Sequence, residues 1–189
     1  MLALGGSDCE ALRDGVLGQP VNSLSSLAYV AAGAYVLRRG GPAAPALALG
    51  AVGAGSLLYH GPMLRGAEAA HDGSIVVLLA AACVVAWRRR SFPRPPALAL
   101  VALAAGSAVN LLTRTGAPLC RPESLAQGHS AWHVLTAVGA GAWLGGWRDA
   151  ETVTSLAIEP VPHVVAGEQR HGRVGERTTD ARSGLLEYE

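Results

Sequence analysis

Apolar residues fall in blocks between Val21 and Trp147, each bounded by polar or charged clusters, and the stretch from Asp149 onward is polar and aperiodic. Such blocks predict helices that cross a bilayer, each needing roughly 20 largely apolar residues. Five spans are read: Asn22 to Leu37, Ala43 to Tyr59, Ser74 to Trp87, Ala97 to Leu112, and Ser130 to Trp147. Several are short, so polar residues at their ends complete the crossing. The expected fold class is all-α, a polytopic membrane helix bundle over residues 1–148. A disordered cytoplasmic tail is expected over 149–189, with His163 and His171 solvated in it.

Charge orients this bundle. Arg38-Arg39 follows the first span, and Arg88-Arg89-Arg90 with Arg94 follows the third. Basic loops prefer the cytoplasmic side. The two loops are two spans apart, so they agree, and they place the N-terminus outside and the C-terminus inside. Arg148 fits this orientation, whereas Arg65, Arg114 and Arg121 count against it. Trp87, Trp143 and Trp147 fall near cytoplasmic span ends, where aromatic belts lie. The first twenty residues have neither a basic nor an apolar leader region, so no cleavable signal peptide is expected and the first span does the targeting.

Composition supports the membrane class. Half of the 189 residues are hydrophobic and only 15% are charged, against about 25% in soluble domains. A net charge of +1 gives no basic field for nucleic acid. All fifteen basic residues are Arg, which with abundant Ala and Gly suggests a GC-rich genome and a bacterial plasma membrane. Gly50, Gly53 and Gly55 line the second span, and Gly139, Gly141, Gly145 and Gly146 line the fifth. They are read as close-packing positions between helices.

The chemistry-bearing residues gather on the outer side. His60 ends the second span, His71 and Asp72 open the third, and His129 and His133 open the fifth. Ionisable groups at membrane depth usually mark function. His129 and His133 are spaced i, i+4, on one helix face, as are Ser56 and His60. Three neutral imidazoles from two helices suit a tetrahedral zinc site with one position for water, whose pKa such a site lowers to about 7. Asp72 would then serve as general base or orient a ligand imidazole, and Ser56 would hydrogen-bond a developing oxyanion. Blander roles stand beside these. The His pair suits helix packing or a hydrogen bond, and Ser56 could bond its own backbone. Asp72 could pair with Arg65 or cap the third helix. His71 suits a supporting or surface role, or a fourth ligand. Tyr59 and Trp132 are read as interfacial anchors. Cys9 and Cys120 both lie on the outer side, where a disulfide persists and would tie the N-terminal segment over the site; the alternative is two unpaired thiols. Cys83 is read as a small apolar residue.

These residues carry a resemblance. Asp8-Cys9-Glu10 followed by Gln19-Pro20-Val21-Asn22-Ser23-Leu24-Ser25-Ser26 resembles the acidic-Cys motif and Asn/Ser-rich first helix of the CREST superfamily of membrane hydrolases, alkaline ceramidases in particular. Ser56-Leu57-Leu58-Tyr59-His60 is similar to the family's Ser-x-x-x-His, and His71-Asp72 sits where the family places its Asp. Gln127 to His133 is similar to its closing His-x-x-x-His. The resemblance implies zinc held by His60, His129 and His133, catalytic roles for Asp72 and Ser56, a Cys9–Cys120 disulfide, and hydrolysis of a lipid amide. The family has a seven-span fold, of which this chain would be a reduced form, the short interval between Asp72 and His129 leaving out two spans. Alkaline ceramidases also bind calcium through N-terminal acidic groups; here Gln19 stands near one expected Glu, only Asp8, Glu10 and Asp14 remain, and calcium is not expected. The function expected is a zinc-dependent intramembrane hydrolase cleaving an amide or ester bond of a membrane lipid. The alternatives are a non-catalytic metal-containing receptor or sensor, and a haem-binding membrane protein using His60 and one fifth-span His.

Overall fold

The computed structural model describes residues 8–147, so Arg148, the expected tail and its two histidines lie outside the described residues. Every described element is a helix, and no strand occurs among the described residues. Proline and glycine write most of the boundaries. Helix α1 (Pro20–Ser25) carries Pro20 in its first turn, where the missing N–H costs nothing. It gives way at Ser26 to α2 (Leu27–Arg38). The single first span of the sequence reading is thus two helices, and serines explain the break. The hydroxyls of Ser23, Ser25 and Ser26 donate to the carbonyls of Gln19 and Asn22, competing with the regular backbone ladder. Helix α3 (Ala43–His60) starts after Pro42, and α5 (Ala97–Thr113) after Pro96. Helix α6 is Gly128–Leu144.

Helix α4 (Ala67–Arg88) differs most from expectation. It begins at Ala67 rather than near Ser74, after Gly66 in the left-handed region (φ 82°), which glycine adopts without strain. His71 and Asp72 therefore lie on the helix rather than at its mouth, and Asp72 caps nothing.

Helices α3 and α4 are long and apolar enough to cross a membrane, with mean hydropathy 1.2 and 1.9 over their most apolar windows. The helices pack as a row in the order α4, α3, α2, α6, α5, with α1 set against α3 and α6 at one end. Small residues permit the close contacts. A Cβ on Gly33 would sit 2.5 Å from the Ala46 carbonyl oxygen, so α2 and α3 meet backbone to backbone. Gly50, by contrast, faces open space. The core between these helices holds Val36, Leu49, Val52, Ala137 and Leu144. Trp147, read from sequence as a belt residue, is buried under the rings of Phe92 and Trp143. Trp87 is largely exposed.

The ends of the row do not meet: α4 and α5 make no close approach. Between them lies an apolar slot of about 300 Å³, walled by Ile75, Leu79, Leu103, Trp132 and Trp143.

Candidate metal centre

Helix α3 delivers His60 on its last turn, with Ser56 one turn earlier, and α6 delivers His129 and His133 on its first two turns. One ring nitrogen of each histidine lies within 4.8 Å of the others, a group able to hold a metal ion. His60 and His133 are fully buried. The i, i+4 spacing read from the sequence is realised, with the His129 and His133 ring centroids 4.5 Å apart.

The hydrogen-bond network decides which nitrogens are available. Gln19 Nε2 donates to the Glu10 carbonyl at 3.0 Å, which turns Gln19 Oε1 toward His60. Since Oε1 only accepts, His60 Nδ1 must donate to it, at 2.7 Å. The Ser25 hydroxyl donates to the Asn22 carbonyl, so at 2.8 Å from His133 Nδ1 it acts as acceptor. His129 Nδ1 lies 3.1 Å from Asn110 Oδ1 and 3.5 Å from an Asp8 carboxylate oxygen, both acceptors. All three rings thus carry their proton on Nδ1 and present a lone pair at Nε2. In keeping with this, His60 Nε2 and His129 Nε2 are buried with no protein partner. The Asn22 amide on α1 is likewise fully buried, and neither of its side-chain atoms has a partner. Orphaned buried polar atoms cost about 1–3 kcal/mol each. Three imidazoles so arranged suit a divalent metal: the second nitrogen of each ring is anchored, as in most metal-bound histidines.

Ser56 stands at this centre. Ser56 Oγ lies 2.9 Å from Ser26 Oγ and 3.3 Å from His133 Nε2, within hydrogen-bond reach of both. Its hydroxyl therefore faces the metal side of the cluster and not its own backbone. Asp72 stands apart. Its side chain is 70% exposed and accepts from His71 Nδ1 at 2.9 Å. Its partner is His71 and not Arg65. It lines a polar mouth of about 320 Å³ together with Asp8, Glu68, Asn110, Arg114 and His129. His71 lies outside the group of three and lines both this mouth and the apolar slot. Tyr59 stacks on His71, and Trp132 lines the slot, so both serve the cavity walls.

Cys9 and Cys120 form a disulfide, with Cα atoms 5.6 Å apart, and Cys83 is a free, exposed thiol on α4. The residues that sequence reasoning missed are Gln19, Ser25 and Asn110 as ring anchors. One signal was available: the chain holds only two asparagines, Asn22 and Asn110, and Asn110 interrupts an apolar run.

Comparison of the chain with family models, with curated proteins and with solved structures finds no match.

Proposed function

We propose that this chain is a multi-pass metal-dependent hydrolase of a membrane, and more particularly a zinc-dependent hydrolase of lipid amides or esters, similar in its chemistry to alkaline ceramidases. The observation that carries the reading is the set of three imidazoles, each anchored through Nδ1, of which His129 lines a polar mouth that shares His71 with an apolar slot. An amphiphile suits these two cavities: its head occupies the mouth, its tail the slot, and the bond between them lies on the side of His129. Membrane residence is supported by α4, whose apolar window is only 17% buried. Val76, Val77 and Leu79 face outward on it, which suits lipid and not water. The disulfide supports the outer placement of the site. Five crossings, formed by α1 with α2 and then by α3 to α6, follow from this reading, in the plasma membrane of a bacterium.

A zinc ion at this centre would supply Lewis acidity and activate water toward the acyl carbon. Ser56, whose hydroxyl lies 3.3 Å from His133 Nε2, would donate to the oxyanion that develops on the acyl oxygen. Asp72, at the open mouth, takes the proton released from the attacking water and returns one to the leaving amine or alkoxide. Water is thereby added across the bond, with OH to the acyl carbon and H to the leaving group. Convergence of three imidazoles on one point favours this reading over haem, which takes two axial ligands and needs the space between them. A receptor without turnover would share the centre but release no product.

The test is metal content of detergent-purified protein by mass spectrometry, with a His129→Ala/His133→Ala double variant, followed by product analysis on a panel of lipid amides and esters. About one zinc per chain, absent from the variant, with release of fatty acid, is the expected result. Zinc without product favours the receptor, and no zinc in a chelator-free preparation removes the reading.

A further inference from the structure

Residues Asp8 to Gln19 precede the first helix and belong to no element, yet they are tightly held. The first part of this segment is clasped to the loop between α5 and α6: Cys9 bonds Cys120, the Cys9 N–H donates to Thr115 Oγ1, and the Ala11 N–H to the Pro122 carbonyl. Its last part is clasped to the end of α3, where the Gly18 N–H donates to the Gly61 carbonyl and the Gln19 N–H to the His60 carbonyl. Glu10 is buried, and its two carboxylate oxygens accept from the N–H groups of Val21 and Asn22, the free donors at the start of α1.

Two side chains of this segment turn to the metal centre. Gln19 links the Glu10 carbonyl to His60 Nδ1, so the proton on His60 is placed by a relay that begins one residue from the disulfide. Asp8 is buried, with one carboxylate oxygen 3.5 Å from His129 Nδ1 and the other 4.0 Å from His60 Nδ1. The first distance is long for a hydrogen bond, but the negative charge favours a proton on the Nδ1 side of both rings and offsets the charge of a cation on the far side.

We propose that the segment Asp8–Gln19 is a strap that forms the outer shell of the metal centre, in which Gln19 and Asp8 are positioning residues for His60 and His129, held in place by the Cys9–Cys120 disulfide. The inference rests on the metal reading of the three histidines. It assigns Gln19 a role as hydrogen-bond acceptor for a ligand ring, and it makes metal retention depend on a covalent bond remote from the ligands in sequence.

The experiment measures the zinc affinity of the full chain in detergent by competition with a chelating chromophore, and the visible absorption of the cobalt-substituted protein. Four proteins are compared: wild type, Gln19→Met, Gln19→Glu and Cys9→Ser/Cys120→Ser. Gln19→Met keeps the volume and loses the acceptor, so its affinity is expected to fall about 10- to 100-fold, with a changed cobalt spectrum. Gln19→Glu keeps an acceptor and is expected to stay within a few-fold of wild type with a similar spectrum, an outcome that loss of packing alone would not give. The double serine variant is expected to weaken zinc binding to a degree similar to Gln19→Met. Wild-type affinity in Gln19→Met, or equal loss in Gln19→Met and Gln19→Glu, overturns the positioning role. Wild-type affinity in the double serine variant overturns the disulfide's part in it. Failure of wild type itself to bind zinc overturns the metal reading instead, so the two failures are told apart.

Discussion

Each imidazole at the centre is held through Nδ1 by a different acceptor: an amide for His60, an amide beside a carboxylate for His129, and a hydroxyl for His133. Ser25 gives its own proton to the Asn22 carbonyl, which fixes its oxygen as an acceptor for His133. Ser25→Ala removes the hydroxyl acceptor at His133 Nδ1 and loosens the hold on the ring. Zinc affinity measured by chelator competition is expected to drop about 10-fold, toward the lower end of what such outer contacts contribute. On the hydrolase reading proposed above, Ser56 is the residue that separates metal binding from turnover. In Ser56→Ala zinc stoichiometry is expected to stay at wild type, while kcat on a lipid amide falls about 10²- to 10³-fold, as for loss of one oxyanion donor. If kcat is unchanged, Ser56 is only a packing and hydrogen-bonding residue.

At the scale of elements, the site depends on close approach of helices. Gly33 lets α2 lie against α3, so that Ser25 and Ser26 come within reach of His133 and Ser56. Gly33→Ala puts a methyl 2.5 Å from the Ala46 carbonyl oxygen, and the helices must part. Overpacking of this kind costs about 1–3 kcal/mol, read as a lower thermal midpoint in detergent. The start of α1 is capped by Glu10 from outside the helix. Helix periodicity and the Pro and Gly breaks were legible in the chain, and most expected spans match helices to within a few residues. The start of α4 was not, because Glu68-Ala69-Ala70-His71-Asp72 reads as polar by composition although Ala and Glu favour helix. Nor was the break at Ser26, since a run of serines is compatible with a straight helix until their hydroxyls choose partners.

At the scale of the whole molecule, the open side of the helix row matters most. Because α4 and α5 do not meet, the slot beside the histidines has a side entrance between them. Leu79 stands on that slot and is largely exposed. Leu79→Trp is expected to narrow it, raising KM for long-chain lipid amides several-fold while leaving short-chain analogues and zinc content near wild type. Equal effects on both chain lengths would mean that tails do not use the slot. The membrane placement is checked separately: the chain is expected to stay in the membrane pellet after an alkaline carbonate wash, as an integral protein does.

The features readable along the chain are local: the alternation of apolar blocks with polar clusters, the boundaries that Pro and Gly impose, and the i, i+4 pair on α6. The alternation of helices and connections also anticipated the four histidines and two cysteines at one end, and both the group of three histidines and the disulfide are present in the structure. These depend on helix period and loop placement, which are written in neighbouring residues. Only the tertiary structure decided which acceptors hold the rings. Gln19 and His60 are 41 positions apart and Ser25 and His133 are 108 apart, so no spacing rule links them. It also decided that Asp72 opens to the mouth while Asp8 is buried beside the histidines, and that the row of helices stays open between α4 and α5. The physical reason is that proton placement and lateral openings come from how whole helices pack, and packing joins residues that the chain itself keeps far apart.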